Sequence, residues 1–440
     1  MRSPAYVKMA GSLVILLLWA AAGQIWAGEN FESNSVAYLG PEPGQHALIV
    51  PAPSAPTTET SNREWFGGGL PWGQWSRLTG DWGQVRPTLE TNGLNLAARY
   101  TMDTSILSVG GSGQRGIASG LLDLNLTFDP APLLGVEGGT FFAQYYNRQG
   151  PNGSEHVGDM QGYDNINAGR LNQAEEIWYE QKLFQGHLRA KIGQVDANAE
   201  FDQVSAAAEF INSSAGYSPT LLDFPTYPNP ALSFNLFAYP VKWFYCGAGV
   251  YTDNLRMLSN YRFEHPYLIG EVGLTGNGWG RLGPGRLAAG FWHDTGKVDR
   301  FDGDQDDGVS GFYLLAEQQI WKRSSADGDD QRGASVFVQY GHANPADSPF
   351  EHQVGLGISA TGLLAGRNDD ATGVYWTWTG LSLVAEAGFA RNESSLEFFY
   401  KYQVTPFFAL KPDLQWIRHP GGQSLPESAW VITVRAVVDF

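Results

Sequence analysis

Along much of this chain, apolar and polar side chains alternate with a period of two. Leu94, Leu96, Ala98, Tyr100 and Met102 share one face of the first run, while Asn95, Ala97, Arg99, Thr101 and Asp103 share the other. The pattern returns in Leu122, Leu124, Leu126 and Phe128 against Asp123, Asn125, Thr127 and Asp129. It also closes the chain, where Trp430, Ile432, Val434, Ala436, Val438 and Phe440 alternate with Val431, Thr433, Arg435, Val437 and Asp439. Successive side chains of a strand point to opposite faces, so each run predicts a strand with one apolar and one wet face. Alternation alone does not say which face is inside. A soluble sandwich hides its apolar face, whereas a membrane barrel turns it to lipid.

One predicted hairpin bears on that choice. Around a two-residue turn at Gln185-Gly186, Trp178, Glu180 and Lys182 alternate with Ile177, Tyr179 and Gln181. The returning strand alternates His187, Arg189, Lys191 and Gly193 with Leu188, Ala190 and Ile192. Counting register from the turn sets Lys182 beside Arg189 and Glu180 beside Lys191. Neighbouring like charges are costly in a dry core and cheap in water, which favours a wet interior. Ahead of the first strand, Thr79-Gly80-Asp81 predicts the cap of a short helix over Trp82–Thr91, stopped by Asn92-Gly93. Pro87 sits late for the first turn of that helix.

The amino-terminal region sharpens the picture. Residues 1–27 read as a secretory signal peptide: Arg2 and Lys8, an apolar run from Met9 to Ala22, then Gln24-Ile-Trp-Ala27 as a cleavage site. That apolar core is about 14 residues, short of the roughly 20 that span a bilayer. No second apolar run is long enough for a spanning helix, so a helical membrane protein is excluded and a barrel is not. Residues 28–75 read as a Pro/Gly-rich linker, with Pro41, Pro43, Pro51, Pro53, Pro56 and Gly67–Gly69. Residues 76–93 follow as a helical segment, and 94–440 as the β-region. Roughly 350 residues of hairpins suffice for 16 strands around a water-filled lumen.

Composition agrees with that reading. Charged residues are 17% of the chain, aromatics 13%, and there are 54 glycines, unusual for a soluble enzyme. Loss of Arg2 and Lys8 with the signal would move the formal net charge from −17 to −19, which repels nucleic acid. The lone Cys246 allows no intramolecular disulfide. With the signal and the terminal Phe440, this favours a transmembrane antiparallel β-barrel over a sandwich.

Three rival signals are weaker. Gly111-Ser-Gly113-Gln-Arg-Gly116 fits a dinucleotide fingerprint, but a strand follows where that fingerprint needs a helix, so it reads as a turn. Asp302-Gly-Asp304-Gln-Asp306-Asp307-Gly308 resembles half a calcium loop. Asp307 replaces the turn-making glycine and Tyr313 the bidentate glutamate, so it reads as a solvated acidic loop. An outer-membrane hydrolase would need a nucleophile, base and orienting acid; His293-Asp294 is the only hint, without G-x-S-x-G or H-E-x-x-H. A periplasmic sugar-binding protein would need helices alternating with strands. No catalytic residue, metal ligand or cofactor is expected.

The chain resembles the carbohydrate-selective porins of the OprB type over residues 76–440. Gly80-Asp81-Trp82-Gly83-x-x-Arg86-x-x-Leu89-x-x-x-Gly93 resembles that family's amino-terminal signature. Trp178-x-x-Gln181-x-Leu183-Phe184, running through Gly193-Gln194 to Phe201, resembles its first long hairpin. Phe210-x-Asn212, Gly362-x-x-x-Gly366-Arg367-x-Asp369-Asp370 and Lys411-Pro412-Asp413-Leu414-Gln415-Trp416-Ile417, leading to Pro420-Gly421-Gly422, follow, with Arg435 and Phe440 in the last strand. The family carries Gly where this chain has Gln84, and the Pro-rich stretch 28–64 has no counterpart in it.

The resemblance implies a 16-stranded trimeric barrel in the Gram-negative outer membrane that passes neutral sugars by diffusion. A general, non-selective porin is the alternative. Lipid, lipopolysaccharide, the barrel-assembly machinery and two further copies of the chain are the expected partners. The pore-lining candidates are Arg99, Asp103, Arg148, Trp178, Glu180, Lys182, Arg189 and Lys191. Carboxylates accept hydrogen bonds from sugar hydroxyls, Arg and Lys donate to sugar oxygens, and Trp178 offers a ring to a pyranose face.

Overall fold

The computed structural model describes residues 63–440 apart from 66–68, 111–113, 253–263, 279–281 and 324–331. The signal segment and most of the linker lie outside these residues, as do Gly111–Gly113. Sixteen antiparallel strands close into one barrel, each hydrogen-bonded to its sequence neighbours and the last to the first. They are β1 (Leu94–Val109), β2 (Gln114–Phe128), β3 (Gly139–Gln149), β4 (Leu171–Leu183), β5 (Leu188–Val195), β6 (Ala231–Val241), β7 (Phe244–Tyr251) and β8 (Tyr267–Gly276). The second half comprises β9 (Gly285–Asp299), β10 (Gln305–Lys322), β11 (Gly333–Ala343), β12 (Phe350–Thr361), β13 (Ala371–Leu381), β14 (Glu393–Thr405), β15 (Phe408–Arg418) and β16 (Ser428–Asp439). Closure matters because a bilayer offers no water to an unpaired strand edge.

The two faces of the wall settle which side is wet. Tyr100, Met102, Leu124, Leu126, Ile432 and Val434 are exposed on the outside. Thr101, Asp103, Asp123, Thr433 and Arg435 point inward and are buried. The apolar face therefore meets lipid, as alternation in a membrane barrel requires. One strand provides a depth test of this orientation. Val434→Lys, at the middle of β16 with 45% of its surface exposed, should cost about 2–4 kcal/mol, against about 0–1 for Ser428→Lys at the rim. Urea unfolding in liposomes measures both, and equal costs would contradict the orientation.

The strand ends also orient the barrel. Tight turns such as Phe184–His187, between β4 and β5, share one end with the start of β1 and with Phe440. The longer connections 150–170 and 196–230 leave the other end. Short turns mark the periplasmic side and long loops the outside. The β4–β5 turn is four residues rather than two, with positive φ at Phe184, Gln185 and Gly186. It keeps the predicted register, pairing Lys182 with Arg189 and Glu180 with Lys191.

The helix α1 spans Val85–Thr91, three residues shorter than expected. Trp82, Gly83 and Gln84 all have positive φ, so helical geometry cannot begin before Val85. Pro87 then falls in the first turn, where its missing N–H costs nothing. Gln84 has φ 77°, a conformation glycine adopts without strain. Its side chain compensates by donating to Asp81 at 2.5 Å.

Candidate functional site

The segments 150–170 and 196–230 turn back into the barrel instead of lying over its mouth. Backbone taken out of water must find partners, and the wall supplies them. Glu397 on β14 accepts the N–H groups of Ile211 at 2.7 Å and Asn212 at 3.1 Å. Glu393, four residues earlier on the same face, accepts those of Met160 at 3.0 Å, Gln161 at 3.0 Å and Gly421 at 2.7 Å. Glu317 on β10 takes the Ala206 N–H at 2.9 Å, and Glu271 on β8 the Asp202 N–H at 3.2 Å. From β13 the Tyr375 hydroxyl donates to Ser214 O at 2.8 Å, and from β15 Gln415 donates to Tyr163 O at 2.6 Å. The inner segment thus reaches strands far around the barrel from β5 and β6, which it joins.

Packing reinforces these bonds. The Phe210 ring lies 5.8 Å from Phe337, 5.5 Å from Tyr375 and 4.9 Å from Phe399, mostly edge-on. Wall glycines leave room for it. A Cβ at Gly373 would stand 2.6 Å from the Phe210 ring, and one at Gly341 2.1 Å from Ser218 Oγ.

The inner segments carry titrating groups of their own. Burial pushes the Asp159 carboxyl up to about 6, against the pull of the Ser154 hydroxyl and the Tyr163 N–H. A carboxyl raised in the folded state contributes stability that is complete below its unfolded value of about 4 and is lost as pH rises through about 6. The barrel is therefore expected to melt higher at pH 5 than at pH 8, with Asp159→Asn narrowing the gap. Circular dichroism on both proteins tests this; an unchanged gap would remove Asp159 from the account.

The predicted lining residues all sit on the inner wall, but most lie behind these segments. Glu180, Arg189 and Lys191 are 1–2% exposed. Arg189 donates to Glu180 at 3.0 Å and to Glu200 at 2.6 Å, and Lys191 also pairs with Glu200. Their clustered positive charge is thus compensated by a carboxylate of the inner segment and not by lumen water alone. Between its two cations, the Glu200 carboxyl is held below its ordinary value although burial alone would raise it. Trp178 is buried, with the Lys191 ammonium 3.9 Å from its ring centre. Asp103 accepts from Arg435 at 2.7 Å, and Arg435 also donates to Asp164 at 3.0 Å. Arg148, fully buried, donates to the main-chain oxygens of Ile166, Gly150 and Pro151, ordering the first inner segment. Arg99 pairs with Asp439, and Lys182 is exposed.

A different group meets water deep in the barrel. Glu209, at the tip of the second inner segment, pairs with Lys401 at 2.6 Å and Lys411 at 2.9 Å, yet keeps 35% of its side chain accessible. Lys401 keeps 25%. Burial alone would raise the Glu209 carboxyl, but Lys411 and Lys401 outweigh it and hold it far below the ordinary range. Ser205 and Ala208 beside it are also exposed. Ser205–Glu209 are not part of a periodic run and were missed; the one signal that could have pointed here is Glu393, Glu397 and Lys401, four apart on one face of β14.

The rival signals resolve on geometry. His293 lies on the outer face, 2.8 Å from Ser310 Oγ, while the neighbouring Asp294 caps the Gly296 N–H, so the two form no dyad. Asp302, in the exposed turn before β10, and Asp306, at the start of β10, both pair with Arg300.

A closed 16-stranded antiparallel barrel with an apolar exterior and inward-folded loops defines an outer-membrane porin. The model of the carbohydrate-selective porin, OprB family matches residues 114–440, and this chain belongs to that family. Porin B of Pseudomonas aeruginosa is 21% identical over 427 residues, covering 82% of this chain and 91% of that one. The high-pH structure of Pseudomonas putida OprB superposes with a TM-score of 0.73 at 20% identity, covering 83% of this chain and 99% of the other. Its low-pH structure gives a TM-score of 0.54 at 17% identity over the same shares. The protein is an outer-membrane channel for carbohydrates and not an enzyme.

Proposed function

We propose that sugars cross this barrel at a neck formed by Ser205–Glu209 and Lys401, with Arg189, Lys191, Glu180 and Arg148 holding the neck in place from behind. The observation that carries this reading is the Glu209–Lys401 pair, which stays water-accessible while Glu180, Arg189, Lys191, Glu393 and Glu397 of the same inner wall are covered. A neutral sugar gains little from net charge. It gains from a paired acceptor and donor that replace its hydration, and Glu209 and Lys401 supply one of each. We extend this reading to contacts with lipopolysaccharide, with the barrel-assembly machinery and with two further copies of the chain; light scattering on the solubilised protein counts the copies.

Glu209→Gln leaves Lys401 and Lys411 uncompensated beside the path. The reversal potential in a salt gradient is expected to move toward anions, and sugar block of the current is expected to weaken. If both quantities match the parent channel, the neck lies elsewhere.

A further inference from the structure

The outer face carries a groove that sugar passage does not use. β16 ends opposite Arg99, so Leu94–Ala98 of β1 have no strand on that side. The segment before β1 is tied to the end of β16 beside this edge: the Leu78 N–H donates to Asp439 O at 2.8 Å, Arg86 Nη2 donates to Phe440 O at 3.2 Å, and the Phe440 N–H in turn donates to Ala98 O at 2.8 Å. Beside it lies a groove of about 520 Å³, with Ala98, Ala143 and Ala174 among its small residues and Leu124 and Ile177 among its large ones. Arg86 of α1, at the periplasmic end of the barrel, borders it.

Arg86 is an unusual neighbour for such a groove. It is 4% exposed, and its Nε and Nη1 have no hydrogen-bond partner among the described residues. The Trp82 ring lies 4.2 Å from the guanidinium. Burial, and after it the nearby Arg77, bring the guanidinium down to about 10, and the carboxylates of Glu90, Glu64 and Asp81 do not make up the difference. Two buried guanidinium N–H groups without acceptors, beside an Nη2 already taken by Phe440 and Thr79, invite an anion with oxygen acceptors. In the periplasmic leaflet, the molecule that joins such an anion to an apolar chain is a phospholipid.

We propose that this groove binds one phospholipid of the periplasmic leaflet, its phosphodiester on Arg86 Nε and Nη1 and an acyl chain along Ala98, Ala143 and Ala174. Native mass spectrometry of the full exported protein, released in detergent and titrated with dioleoyl-phosphatidylglycerol, tests it. One lipid per barrel is expected to survive activation. Losing a charged hydrogen-bond partner should weaken retention about tenfold in Arg86→Gln. Ala143→Phe, which fills the groove and leaves the guanidinium untouched, should weaken it similarly. Because Arg86→Gln also loses the bond to Phe440, each variant is first checked as a heat-resistant barrel, and Ala143→Phe carries the test if the other fails to fold. Undiminished retention in Ala143→Phe would overturn the proposal. So would displacement of the lipid by an equal concentration of inorganic phosphate, which would mark a site for the bare anion.

Discussion

Single-channel conductance is expected to rise, and sugar block to fall, when Glu397 becomes alanine. That carboxylate receives two buried N–H groups, from Ile211 and Asn212, at the point where the second inner segment meets β14. Hydrogen bonds to a charged group contribute about 1.5–3 kcal/mol each, so the loss is roughly 3–6 kcal/mol of docking free energy. The wall itself keeps all of its strand pairing, since Glu397 keeps its register opposite Tyr375 on β13 and Gln415 on β15. The barrel should therefore survive while its inner segment loosens. Glu397→Gln retains one acceptor oxygen and should fall between the two. Planar-bilayer recordings read the effect directly; an unchanged conductance in Glu397→Ala would mean that the segment is held without it.

A loss of similar size is expected from Phe210→Ala, by a different route. Phe210 is 2% exposed and is the ring around which Phe337, Tyr375 and Phe399 gather. Truncating a buried Phe to Ala costs about 3–5 kcal/mol in lost contacts and residual cavity. Here the wall rings stay in place on their strands, so the cost again falls on docking of the segment. Limited proteolysis should cleave between Ser205 and Asn212 in the variant and not in the parent, while the heat-resistant barrel persists. Resistance equal to the parent would show that the hydrogen bonds alone secure the segment. The two substitutions share neighbours, so their combined effect should be less than additive.

The wall of this barrel was legible in the sequence because each strand obeys one rule along its length. Lipid imposes an apolar side chain at every second position, and Leu94–Met102 of β1, Leu122–Phe128 of β2 and Trp430–Val438 of β16 carry that pattern. The β4–β5 register was legible too, although the turn differs, because two residues or four centred on Gln185-Gly186 give the same pairs. The start of α1 was not, since three consecutive residues with positive φ leave no periodic trace. The inner segments were hidden for a deeper reason. They have no repeating pattern and read as surface loops, while their partners lie far off in the chain: Glu397 is 186 residues from Ile211, and Lys401 is 192 from Glu209. Thus Glu180, Arg189 and Lys191 were found as an inward group, but Glu200, which neutralises and covers them, was not.

The central claim is that this barrel is an open path that neutral sugars enter. Purified protein in a planar bilayer, recorded while monosaccharides are added, tests it most directly. Stepwise insertion of open channels is predicted, each step reduced reversibly and in a saturable manner by sugar, and the reduction lessened in Glu209→Gln. Bilayers that stay silent, or channels whose current no sugar alters, would contradict it.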